Sequence, residues 1–141
     1  MRHVPSQWIE EARRQIAPGG AVLGFSFGAY IAVSLSRSIG FRRLIIASLS
    51  PYFAEDTPNI PDRWRAILGK RRIFDTSTNA FPTTVSAEAI FLVGGDENPI
   101  LIDRSKRAFD AWYGPKKLVV ISGVGHQIDH PAYAEEIIKA L

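Results

Sequence analysis

The stretch Ala21-Val22-Leu23-Gly24-Phe25-Ser26-Phe27-Gly28-Ala29-Tyr30-Ile31-Ala32 constrains this chain more than any other. A short apolar run enters Gly-Phe-Ser-Phe-Gly, and small residues at helical spacing leave it. The pattern predicts a buried strand that turns sharply on one serine and becomes a helix packed close to the sheet. A serine in such a turn is strained, and Gly24 and Gly28 are expected to relieve backbone crowding on either side. The turn presents the Ser26 hydroxyl and sets its backbone at a helix N-terminus, where negative charge is stabilised.

The rest of the chain alternates in the same way. Residues 6–17 place Trp8, Ile9, Ala12 and Ile16 on one helical face, and Pro18-Gly19-Gly20 ends that helix. Strands are expected over 21–25, 44–47, 89–93 and 118–121, and helices over 27–39, 61–69, 100–113 and from Pro131 to the end. Pro51, Pro58, Pro61 and Pro82 interrupt residues 49–88, which read as a lid-like insertion after the second strand. Strands that are short, continuously apolar and separated by helices imply an α/β class. The expected architecture is a three-layer sandwich around a parallel, roughly four-stranded sheet in sequential order. All of it fits one domain over residues 1–141. Active groups in such sheets gather at the carboxyl ends of the strands. Three polar features lie there: Ser26 after the first strand, Asp96-Glu97 after the third and His126 after the fourth.

Composition narrows the function. With 46% hydrophobic and 22% charged residues, the chain fits a globular domain with an ordinary core. It has no cysteine, which leaves no disulfide framework and no Cys-based zinc site and suits a cytoplasmic setting. No apolar run is long enough to cross a bilayer, and the first twenty residues carry Arg2, Glu10, Glu11, Arg13 and Arg14 in place of an apolar signal core. The net charge is +3, densest at Arg42-Arg43 and Lys70-Arg71-Arg72. Neither spot comes with an aromatic-basic signature, so both read as solvated faces and not as nucleic-acid contacts. Neither a membrane nor a cofactor is implied.

A serine hydroxyl is a poor nucleophile until an imidazole removes its proton, and the imidazole needs a carboxylate to fix its tautomer. The chain supplies these groups in the order Ser26, Asp96 or Glu97, His126. That order on strand ends, with the elbow Gly24-Phe25-Ser26-Phe27-Gly28, the terminal Gly125-His126 and the looser Val93-Gly94-Gly95-Asp96-Glu97-Asn98-Pro99, resembles the α/β-hydrolase superfamily. The resemblance runs from about residue 6 to 141 and covers the C-terminal half of that family's usual fold. It implies a small serine esterase or thioesterase with Ser26 as nucleophile, His126 as base and Asp96 as acid, Glu97 being the alternative. It makes the Phe27 N–H one oxyanion donor and puts the family's second in a loop upstream of the elbow that is expected to be missing here. The N-terminal segment, residues 49–55 or another subunit is then expected to supply one. It also implies a substrate pocket from Phe25, Tyr52, Phe53 and Trp64, with Phe74 and Phe81 nearby.

The family's earlier strands are expected to be missing. The first strand would then form a sheet edge that favours a homodimer or larger assembly. Of the other polar residues, His130 and Asp129 read as caps of the last helix, His3 as part of the N-terminal segment, and Asp75 and Asp103 as surface groups. Two other classes compete. One is a non-catalytic relative that keeps the elbow for the turn alone. The other is a nucleotide-binding domain, disfavoured because the three-glycine fingerprint is absent and no acidic residue ends the second strand.

Overall fold

The computed structural model describes residues 3–141; Met1 and Arg2, and with them any reading of the chain start, lie outside the described residues. Four strands run parallel in the order β1 (Ala21–Phe25), β2 (Arg43–Ala47), β3 (Glu88–Gly94), β4 (Lys116–Ile121). Strand β1 pairs with β2 from Ala21 opposite Arg43 to Phe25 opposite Ala47, and β2 pairs with β3 from Arg43 opposite Glu88. This is the expected α/β architecture with the expected sequential order.

Side chains alternate between two cores. Leu44, Ile46, Ala89 and Phe91 point to one face, and Ile45, Ala47, Ile90 and Leu92 to the other. Because both faces are covered, β2 and β3 read as unbroken apolar runs. The first face receives α1 (Pro5–Gln15), α2 (Phe27–Leu35) and part of α5 (Pro99–Ala111). The second receives α6 (Pro131–Ala140), anchored by the fully buried Tyr133. Among the described residues no helix is long and apolar enough to cross a membrane.

Strand β1 forms one edge of the sheet, and its Leu23 is 42% exposed. Helix α2 ends at Leu35, four residues before the expected stop. The hydroxyls of Ser36 and Ser38 donate back to Val33 O and Leu35 O and close the chain into turns there.

The segment after β2 carries more structure than the sequence suggests. A 3-10 helix spans Ala54–Asn59, then α3 (Asp62–Leu68) and α4 (Lys70–Thr76) follow, split by Gly69 at φ +80°. A buried ion pair pins this segment to α5. Arg104 Nε lies 3.0 Å from Asp56 Oδ2, and both side chains are almost fully buried. Arg107 also donates to Asp56, at 3.2 Å, and the Arg104 guanidinium lies over the rings of Phe53 and Phe81. Burial pushes the Asp56 carboxyl above its ordinary value, against the pull of Arg104.

Candidate active site

The chain after β1 cannot leave the sheet without strain. Ser26 adopts φ 55°, one of two non-glycine residues with positive φ among those described. Its N–H donates to Ala47 O at 2.9 Å, which ties the turn to the end of β2, and its C=O accepts from Ala29 N in the first turn of α2. Gly24 is essential to this approach. A Cβ there would stand 2.4 Å from Gly28 O and 2.6 Å from Ala29 Cα. Gly28 is different: a Cβ there meets nothing within 4 Å, so the expected relief on both sides of the serine is corrected to one side. The Phe27 N–H opens α2 and, like the first amides of any helix, has no intrahelical acceptor. The Phe27 ring turns away and stacks on Tyr30 with centroids 5.1 Å apart.

Across the strand ends, His126 Nε2 lies 3.0 Å from Ser26 Oγ and His126 Nδ1 lies 2.6 Å from Glu97 Oε1. An ionised carboxylate only accepts, so Glu97 takes the Nδ1–H and leaves Nε2 free to accept from the serine. The other Glu97 oxygen accepts from Gly94 N at 3.0 Å, and the side chain is fully buried. Phe25 packs its ring 4.7 Å from the imidazole.

The expectation that Asp96 meets the imidazole is therefore corrected to Glu97. The physical reason is the turn after β3. Its backbone is held by Gly95 N to Ile121 O at 2.8 Å and Asp96 N to Val124 O at 2.9 Å. Gly94 allows that contact, since a Cβ there would fall 2.2 Å from Val124 O. With its backbone so fixed, Asp96 projects into solvent, and Glu97, one residue on, folds back under the histidine.

A pocket of about 450 Å³ opens over this line, walled by Pro51, Tyr52, Trp64 and Leu101 and touched by Ser26, Ser50, Asp96, Glu97, Asn98 and His126. Tyr52 and Trp64 thus stand where expected. Phe53 does not: it is fully buried between Tyr30 and Phe81, at 4.8 and 5.2 Å. Phe25 lies behind the imidazole and not on the wall, Phe81 belongs to the core, and Phe74 is 72% exposed. Ser50 falls in the segment 49–55 expected to offer a donor and Asn98 in the acid motif, but neither they nor Leu101 were expected as pocket residues. His130 caps α6 by accepting from Ala132 N, a role Asp129 does not share. Asp75 accepts from Ser6 at the start of α1, and Asp103 pairs with Arg107 on the surface. A larger cleft of about 940 Å³ lies at the opposite end of the sheet, near Phe41 and Val85, and holds none of these groups. Among the described residues no three His, Asp or Glu side chains cluster as a metal site requires.

A parallel sheet whose first strand ends in a strained serine elbow, with an acid after the third strand and a histidine after the fourth, defines an α/β-hydrolase fold, and solved structures agree. The chain is similar to a monoacylglycerol lipase of Paleococcus ferrophilus, at 14% identity and TM-score 0.72, over 98% of this chain and 73% of that one. It is similar to alpha/beta hydrolase domain-containing protein 10 from mouse, at 13% identity and TM-score 0.77, over 98% of this chain and 68% of that one. A third is Est1E of Butyrivibrio proteoclasticus, determined with ferulic acid bound, at 17% identity and TM-score 0.69, over 98% and 69%. No family model and no curated protein matches the sequence.

Proposed function

We propose that this chain is a serine hydrolase that cleaves a carboxylic ester or thioester through an acyl-enzyme. Ser26 is the nucleophile, His126 the general base and then acid, and Glu97 the residue that orients the imidazole. The observation that carries this reading is the line Ser26 Oγ to His126 to Glu97, with contacts of 3.0 and 2.6 Å, at the mouth of a pocket. Both contacts suit the chemistry: with the imidazole proton on Nδ1, Glu97 accepts it and Nε2 is left to accept from the serine. The solved neighbour named as a monoacylglycerol lipase supports the same class.

In the first half-reaction Ser26 Oγ attacks the carbonyl carbon as its proton passes to His126 Nε2. The carbonyl electron pair moves onto oxygen, beside the free Phe27 N–H at the positive end of α2. His126 then returns the proton to the leaving oxygen or sulfur. Water repeats the sequence on the acyl-enzyme. The pocket contributes apolar wall from Tyr52, Trp64 and Leu101, and its free charge is the Asp96 carboxylate. That combination favours an uncharged substrate with an apolar acyl group.

The test is active-site titration with p-nitrophenyl acetate. The wild-type protein is expected to release a burst of nitrophenolate stoichiometric with enzyme, and Ser26→Ala none. The variant should melt at the wild-type temperature or slightly above, because the serine is strained and its removal opens no core cavity. Equal turnover in the two proteins contradicts the reading.

A further inference from the structure

Ser50 follows a second strained turn. After β2 the chain passes through Ser48 at φ 49°, the other positive-φ non-glycine residue described. Three contacts hold that turn. Ser48 N donates to Leu92 O at 2.7 Å, its hydroxyl lies 2.7 Å from Tyr133 OH, and Ser50 N reaches Ser26 O at 3.4 Å. The outcome is that the Ser50 hydroxyl, 4% exposed, faces the nucleophile, with its Oγ 3.4 Å from Ser26 Oγ.

The partner is unusual for a buried serine. Ser34 and Ser36 settle their hydroxyls on backbone carbonyls at 2.8 and 2.6 Å. Among the described residues Ser50 Oγ has only Ser26 Oγ, at a separation too long for a strong bond. Most buried hydroxyls find a closer acceptor; Ser105 Oγ in α5, outside the pocket, is a described exception with no partner at all. A hydroxyl buried to serve a charge that develops later does not need a closer acceptor. The oxyanion of an acyl transfer forms two bonds away from Ser26 Oγ, and a donor for it belongs about 2.7–3.1 Å from that position, not against Oγ itself.

We propose that the Ser50 hydroxyl is a catalytic oxyanion donor that acts beside the Phe27 N–H, an inference that rests on Ser26 being the nucleophile. As the Ser26 Oγ–carbon bond forms and the proton passes to His126 Nε2, the carbonyl π pair becomes an oxygen lone pair. Ser50 O–H donates a hydrogen bond to that oxygen and keeps its proton. When the pair returns, the bond to the leaving group breaks and His126 protonates the leaving atom. The Ser50 contact then lapses.

Two measurements on the full chain separate this inference from the reading beneath it. A fluorophosphonate probe followed by intact mass tests the nucleophile, and steady-state hydrolysis of p-nitrophenyl acetate tests the donor. Ser50→Ala is expected to lower kcat about a hundredfold with KM little changed. It should still label at Ser26 to full stoichiometry, only more slowly. Ser50→Thr, which keeps the hydroxyl, should recover most of the rate. Ser50→Cys, close in size with a weak donor, carries the same expectation as alanine should the alanine variant not fold. A folded Ser50→Ala with near wild-type kcat overturns the inference, as does a loss confined to KM, which marks Ser50 as pocket wall. Failure of the wild-type protein to label at Ser26 overturns the proposed function and this inference together.

Discussion

The turns after β1 and β2 are physically alike and differ in how they are written. Each bends a parallel strand through a serine with positive φ, Ser26 at 55° and Ser48 at 49°. The first is spelled Gly-x-Ser-x-Gly, because the helix that follows runs back against the strand and backbone meets backbone at Gly24. The second, Ser48-Leu49-Ser50-Pro51, leads into an irregular segment and needs no glycine. It is held by a side chain, Tyr133 of α6, whose hydroxyl lies 2.7 Å from Ser48 Oγ and whose phenol burial pushes above its ordinary value. Strain marks both places as built for something. A motif marks only the one where a helix crowds the strand.

The largest effect that sharpens this comparison lies between the neighbours Asp96 and Glu97. Glu97→Gln keeps the shape, but the Gly94 N–H claims its one carbonyl oxygen and its NH2 then faces Nδ1, which holds the imidazole in the wrong tautomer, so kcat should fall about a thousandfold to ten-thousandfold. Asp96→Asn should leave turnover of a neutral ester near wild type, since its carboxylate lies in solvent. Steady-state kinetics on both variants decides. The reverse ranking restores Asp96 as the acid and breaks the account of the turn after β3.

The next effect separates the two glycines of the elbow. Gly24→Ala places a Cβ 2.4 Å from a backbone oxygen that cannot move without α2, and should cost about 3 kcal/mol or more. Gly28→Ala enters open space at a helix start and should stay within about 0.5 kcal/mol of wild type. Urea denaturation of the two measures the gap. Equal losses would mean that the motif is not explained by the contact at Gly24.

The smallest effect tests the second turn. Ser48→Ala removes the closer of two partners of a buried phenol, which keeps Leu92 O at 3.3 Å, and leaves the strained φ, a loss of about 1 kcal/mol. Ser48→Gly loses the same bond but relieves the backbone, so it should be the milder change. If alanine proves no worse than glycine in thermal melts, the turn is not strained.

These contrasts also explain what the sequence disclosed. The strands were legible because a sheet buried on both faces leaves Leu44 to Ala47 and Ala89 to Val93 no polar position. Ser26 and His126 were legible because a strand end followed by a turn fixes them within a residue or so. The acid was not, because Asp96 and Glu97 are adjacent and the choice depends on Gly95 and Asp96 amides bonding to the chain near β4, a long-range contact. Helix α4 was hidden in Lys70-Arg71-Arg72, which reads as surface charge, and the Asp56–Arg104 pair joins residues far apart in sequence with no local pattern. The aromatics of 49–88 look interchangeable in sequence. Tertiary packing sends Phe53 inward and leaves Tyr52 and Trp64 at the pocket.

The central claim is that the strained serine after β1 is a nucleophile driven by His126 and Glu97. Intact-protein mass spectrometry after a fluorophosphonate probe tests it most directly. The account predicts one adduct per chain, located by peptide mapping at Ser26, absent from Ser26→Ala and sharply slowed in Glu97→Gln. An unlabelled wild-type protein, or an adduct that persists in Ser26→Ala, would contradict it.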